Sequence, residues 1–216
     1  MVNFRHALSV LNTFLITGQL TAATLAHSSN FEGSNKDGWQ HPVFSGNQTS
    51  IQPDGPFNSI LLVTSSGGGG VGSRLVVPNS TPNWTGNYSA AGITAVKMDL
   101  VNNSGLNLSI RIGVEGGAGG NRWTSIVPVS LSPSQRGTFR FDLDSSSLGA
   151  AGGNDLAAAL ADISQIRVLH NPNAGDFKGA AVPGSFTVDN ITLVPEPSSS
   201  AMFFAACAIL LIRRKR

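Results

Sequence analysis

Three short runs constrain the fold of this chain more than any other feature. In "ITAVKMDLVN", Val96, Met98 and Leu100 fall on one side while Ala95, Lys97 and Asp99 fall on the other. In "LNLSIRIGVE", Leu108, Ile110, Ile112 and Val114 oppose Ser109, Arg111 and Glu115. In "GTFRFDLD", Phe139, Phe141 and Leu143 oppose Arg140, Asp142 and Asp144. Alternation with a period of two marks strands that bury one face. The turn residues "NNSG" between the first two runs predict a hairpin. Further strands are predicted near Phe31, Val43–Phe44, Thr49–Gln52, Ser59–Thr64, Arg74–Val77, Arg122–Val129, Ile163–His170 and Ser185–Val194. One helix is predicted over "DLAAALAD", with Asn154 as its N-cap. The expectation is an all-β chain: a two-sheet antiparallel sandwich of the jelly-roll kind, with one short helix covering an end.

The two ends read as processing segments and are set apart before the fold is considered. Arg5 and His6 precede an apolar run from Ala7 to Ile16, followed by the small-residue stretch "TAATLA". That order predicts a signal peptide over 1–26, cleaved after Ala26, with Ala22 or Ala23 as alternatives. The last 23 residues, 194–216, hold an apolar stretch and the basic cluster Arg213, Arg214, Lys215 and Arg216. Counted from Ser198 to Ile212, a helix there spans about 22 Å, short of the ~20 residues that a bilayer core normally requires. With the bases beside it, the segment still suits a stop-transfer signal, the basic end inside and the body outside.

Removing the ends changes the charge argument. The whole chain carries a formal charge of +2, but residues 27–194 hold nine Lys and Arg against eleven Asp and Glu. The body is therefore mildly acidic and lacks the basic footprint of a nucleic-acid-binding domain. Cys207, the only cysteine, lies in the apolar tail, so the body has neither a disulfide framework nor a thiol nucleophile. The Gly-rich stretches "SSGGGGVGS" and "GGAGGN" lack the Gly-Lys-Ser/Thr ending of a phosphate loop and read as plain loops.

Two stretches resemble known families. "VPEPSSS", a short apolar segment and "RRKR" resemble the PEP-CTERM sorting signal of Gram-negative bacteria. The resemblance implies that an exosortase recognises Pro195, Glu196 and Pro197 together with the 198–212 helix and the 213–216 tail. It also implies an inner-membrane stage followed by release to the cell surface or extracellular matrix. Proline resists helix and favours extended neighbours, so "VPEP" is expected to lie extended and exposed. "FEGSNKDGW" and "GSFTVDNITLV" resemble the jelly-roll domains of carbohydrate-binding modules, in which first and last strands lie together. That resemblance implies a structural Ca2+ held by Glu32 and Asp189, with backbone carbonyls near Asn35 and Asp37 completing the six to eight oxygens that calcium takes.

The phase of the last strand points to the same place. Phe186 and Val188 share one face, whereas Ile191 and Leu193 are out of step with them. A one-residue bulge near Asp189–Asn190 is therefore expected, and bulges re-aim side chains. For sugar contact, exposed rings are needed; Trp84, Tyr88 and Trp123 are the candidate ligand-binding residues, with core plugs as the alternative for each. Asp142 and Asp144 have a spacing that a glycosidase pair could use, but Arg140 and the turn "SSS" favour a solvated strand end. Glu115 is expected to pair with Arg111. His27, His41 and His170 show no metal-ligand spacing, and His170 reads as a strand-end histidine bonded to a loop. No nucleophile elbow of the Gly-x-Ser-x-Gly type occurs. The expected activity is non-catalytic contact with an exopolysaccharide. A secreted carbohydrate-active hydrolase and a plain bitopic membrane protein are the alternatives.

Overall fold

The alternation decides the layers. A computed structural model of the chain describes residues 27–41, 48–68 and 73–196. Among them are β1 (Ser28–Ser29), β2 (Gln48–Pro53), β3 (Ser59–Ser66), β4 (Val76–Asn79), β5 (Ile93–Asn102) and β6 (Leu108–Gly116). They continue with β7 (Asn121–Ser125), β8 (Val129–Leu131), β9 (Arg136–Asp142), β10 (Leu148–Ala150), helix α1 (Leu156–Ala161), β11 (Ile163–His170) and β12 (Pro183–Pro195). Two antiparallel sheets result. The first runs β2–β3–β12–β5–β9, with β1 beside β12, and the second runs β10–β7–β6–β11–β4, with β8 beside β6. The expected leader over 1–26, the strand at Val43–Phe44 and the tail from Pro197 lie outside the described residues. No helix among the described residues is long and apolar enough to cross a membrane.

The inward residues of both sheets meet in one hydrophobic cluster. Val96, Met98 and Leu100 of β5, Ile110, Ile112 and Val114 of β6, and Phe186, Val188, Ile191 and Leu193 of β12 all belong to it. Each such side chain contributes about 1.5–3 kcal/mol when fully buried, and this cluster, with no disulfide in the described residues, holds the sheets together.

The β5–β6 hairpin does not form. β5 pairs with β12 and β9, whereas β6 pairs with β11, β7 and β8 in the opposite sheet. Alternation specifies which face a residue takes but not which strand lies beside it. Asn102 turns the corner between the layers: fully buried, it accepts from Ser104 N at 2.9 Å and donates to Leu106 O and Leu131 O at 2.7 and 2.9 Å. Two smaller differences follow local chemistry. The helix starts one residue late, because Asp155 rather than Asn154 caps it, accepting from Ala158 N at 2.9 Å. Near Phe31 the chain makes a 3-10 turn over Glu32–Ser34, and the strand precedes it at Ser28–Ser29, paired with Ile191 and Thr192. The first and last strands thus do lie together.

The outer faces of the two sheets differ. A strap following β11, residues 171–182, crosses the outside of the second sheet. Phe177 is 4% exposed and stacks under the guanidinium of Arg167 at 4.1 Å. A Cβ on Gly113 would lie 2.8 Å from the Phe177 ring, so only glycine fits below it. Arg111, 2% exposed, ties the strap down by donating to Asn171 O, Pro172 O, Ser125 O and Ile126 O at 2.5–3.1 Å. The expected Arg111–Glu115 pair is therefore absent. These residues are four apart on an extended strand, and the register sets Arg122 opposite Glu115, with an ion pair of 3.1 Å. The outer face of the first sheet carries the open cleft described next.

Candidate functional site

The bulge expected from the phase error is present. β12 and β5 pair at Asp189↔Asp99 and resume at Thr192↔Lys97, which leaves one extra residue on β12. Asn190 takes up the kink with φ of 49°, a left-handed conformation that asparagine tolerates better than most residues. Asp189 and Asp99, directly opposed, project from the outer face of the first sheet. They help line a cleft of about 320 Å³, together with Asn58, Arg136, Thr138 and Thr187.

Hydrogen bonds hold the polar groups of the cleft in place. The Asn190 amide donates to Asp99 Oδ2 at 2.9 Å and to Asp189 Oδ2 at 3.3 Å, so one side chain bridges two carboxylates. Thr138 Oγ1 donates to the other Asp99 oxygen. Asp189 Oδ1 accepts from Asn190 N at 2.7 Å, and Asn58 Nδ2 reaches Oδ2 at 3.3 Å. Burial pushes the Asp189 carboxyl above its ordinary 3.8, and the like charges of Asp99 and Glu32 add to that. The folded state then holds this proton more tightly than the unfolded chain. Stability accordingly falls as pH rises through the interval above 3.8. Asp189→Asn removes that slope: its melting temperature relative to the native chain is expected to climb from acid to neutral pH. Parallel melting curves over that range check this.

Beside the cleft, the β2–β3 loop is closed by Asp54 N donating to Asn58 O at 2.8 Å, and both residues line the cavity. Phe57, in this loop, is 93% exposed. The sequence reading passed over it, although an aromatic in "DGPFN", within a turn that cannot reach a core, was the available signal.

The predicted site residues divide. Glu32 and Asp189 do come together: Glu32 Oε1 accepts from Ser59 N at 3.2 Å, next to the Asn58 that reaches Asp189. Yet no group of three His, Cys, Asp or Glu able to hold a metal ion exists among the described residues. Glu32 Oε1 and both Asp189 oxygens accept N–H groups, and the Asp37 side chain turns to His27, Ser29 and Trp84.

Trp84 and Tyr88 are fully buried, and neither offers a face to a ligand. Their polar neighbours in "PNWTGNY" conceal a core role: the Trp84 N–H donates to Asp37 Oδ2 at 3.1 Å, and Tyr88 OH donates to Trp84 O at 2.7 Å. Trp123, paired with Val114 of β6 and Ala150 of β10, faces inward and packs against the core. The alternative of core plugs thus holds for Trp84 and Tyr88, while Trp123 is half-buried. Asp142 pairs with Arg140 at 2.6 Å, and Asp144 accepts from Ser146 and Ser147, which hold its carboxyl below the usual range. That is the solvated strand end. His170 ends β11, but its partner is a strand: Nδ1 accepts from Ser109 N of β6 at 2.8 Å. Of the sorting triplet, Pro195 closes β12 and is half-buried, while Glu196 follows it, exposed. Pro197, Arg213, Arg214, Lys215 and Arg216 lie outside the described residues.

No protein-family model matches the sequence, and no curated protein matches it. Solved structures do. An exo-β-agarase is similar over 79% of this chain and 25% of its own, at 14% identity and a TM-score of 0.54. The CBM22-1–GH10 modules of Clostridium thermocellum endo-1,4-β-D-xylanase 10B, complexed with xylohexaose, are similar over 79% of this chain and 28% of theirs, at 9% identity and a TM-score of 0.51. A family 11 carbohydrate-binding module from the same organism, in complex with a β-1,3-1,4-mixed-linked tetrasaccharide, covers 79% of this chain and 95% of its own, at 20% identity and a TM-score of 0.49. The chain spans about a quarter of the two enzymes' length. At these identities, the agarase and xylanase likenesses establish the β-sandwich fold and nothing finer.

Proposed function

We propose that this chain is an exported, exosortase-sorted protein of the envelope or extracellular matrix whose sandwich contacts polysaccharide without catalysis. The observation that carries the polysaccharide part is the cleft on the first sheet. It sets Asp, Asn, Arg and Thr side chains side by side, and planar carboxylate, amide and guanidinium groups suit the paired hydroxyls of a sugar ring. Phe57 adds an exposed aromatic surface on which sugar C–H faces stack. The neighbours whose structures hold a tetrasaccharide or xylohexaose are consistent with this reading.

The hydrolase reading draws on Asp189, whose raised carboxyl beside Asp99 resembles an acid/base pair. The Asn190 amide argues against it, because it ties both carboxylates together on one face. A glycosidase sets its pair on either side of the scissile bond. A glycan screen tests the proposal: the full chain is expected to retain a subset of polysaccharides unchanged, equally with and without EDTA. Shortened product would favour the hydrolase. For the sorting part, mass spectrometry of the mature protein is expected to find a C-terminus near Pro195–Pro197. An intact Arg213–Arg216 end would favour the bitopic membrane protein instead.

A further inference from the structure

The first two residues of the sorting triplet, Pro195 and Glu196, are not on a free linker. β12 runs without a break into it: Val194 pairs with Ala95 and Pro195 with Ile93. Thr94 Oγ1 reaches Val194 O at 3.4 Å, and Glu196 N donates to Gly92 O at 2.8 Å. Proline is tolerated there because it sits at the end of the strand, where the register shifts between Val194 and Pro195. Gly92 is held in turn: its φ of 65° favours glycine, and its N–H donates to Ser89 O at 3.2 Å. The same strand is flanked by β3, β5 and β1, so its body is anchored on both sides.

An enzyme that cuts or transfers a peptide takes several extended residues into its cleft, with their backbone N–H and C=O groups free to pair. Here those groups, from Val194 to Glu196, are engaged by the 92–95 segment of the folded domain. From this we infer that the sandwich gates its own processing: the sorting enzyme receives the triplet only when the end of β12 peels away from Gly92–Ala95. Local opening of a strand end is a low-cost fluctuation compared with global unfolding, so the gate slows processing without forbidding it. The inference rests on the sorting reading above, and its partner is the membrane-embedded peptidase or transpeptidase that the tail addresses.

The test uses the full chain in its native host, with loss of the basic tail followed by pulse-chase. A Gly-Ser-Gly-Ser spacer inserted between Val194 and Pro195 frees the triplet and is expected to speed processing roughly tenfold, the ratio that releasing one or two backbone hydrogen bonds produces. In a Cys207→Ser background, Ala95→Cys with Val194→Cys places a disulfide across opposed positions and is expected to stop processing until reductant is added. Hydrogen exchange on the intact protein in detergent is expected to show the Glu196 amide protected natively and unprotected with the spacer. Equal processing rates in the native chain, spacer and clamp, or an unprotected Glu196 amide, overturn the gate alone. An intact basic end in the native chain and the spacer variant alike overturns the sorting reading and the gate with it.

Discussion

Trp84→Ala is expected to cost about 3–5 kcal/mol, the range for deleting a buried tryptophan. For a domain of this size, each kcal/mol lowers the melting temperature by about 2–4 °C. The effect goes beyond the cavity. The Trp84 ring stands edge-on to Trp39 at 5.0 Å and to His27 at 5.2 Å, and its N–H joins a knot of donors on Asp37. Ser29 Oγ at 2.5 Å and His27 Nε2 at 2.6 Å complete that knot, which pins β1 to the body. Burial pushes the Asp37 carboxyl up, but the Ser29, His27 and Trp84 hydrogen bonds outweigh it and hold it below 3.8. Trp84→Phe restores most of the packing and not the N–H, so it is expected to recover more than half of the loss. Thermal melts of the three proteins check this. Glycan retention at a temperature where each is folded should be the same, since Trp84 touches no solvent. Lost retention with an unchanged melt would make Trp84 a ligand platform after all.

The second large effect is expected at Arg111. Its guanidinium serves four backbone carbonyls and no carboxylate among those partners, and burial pushes its pKa below the ordinary arginine value. Arg111→Met removes every donor and leaves the Ser125, Ile126, Asn171 and Pro172 carbonyls unserved. Losing a charged donor and leaving buried carbonyls unpaired costs about 3 kcal/mol. Arg111→Lys keeps the charge but not the planar fork that reaches two loops at once, so it is expected to recover less than half. The distinctive readout is local. Amide exchange in 171–182 should accelerate by more than exchange in β12, because the strap loses its tie while the first sheet keeps its pairing. Uniform acceleration across both sheets would mean that Arg111 supports the core rather than the strap.

How much of this was legible follows from what each signal measures. Alternation reports faces, and the faces of β5, β6, β9 and β12 follow it, down to the bulge at Asn190 that returns Ile191 to the core. Strand partners depend on distant segments, and the β5–β6 corner is made by one buried Asn102 whose bonding no local pattern announces. Arg111 was placed on the outward face and does point there, but the strap that buries it is a non-repeating loop sixty residues later in the chain. The polarity of neighbouring residues is a poor guide to an aromatic's burial where a polar turn surrounds a core ring, as at Trp84. Phe57 is the converse case, an aromatic whose turn leaves it exposed. The cleft assembles Asn58, Asp99, Thr138 and Asp189 from four separate stretches, and only the last was singled out in advance.

The proposed function holds polysaccharide at the outer face of the first sheet. Affinity electrophoresis in polysaccharide-containing gels tests it with Phe57→Ala, Asp99→Ala and, as a control on the covered sheet, Lys178→Ala. The native chain and Lys178→Ala are expected to be retarded alike by at least one polysaccharide. Each cleft variant should lose about tenfold or more in affinity, ~1.4 kcal/mol, while melting as a folded protein. No retardation in any polysaccharide, or retardation that all three substitutions leave unchanged, would contradict the account.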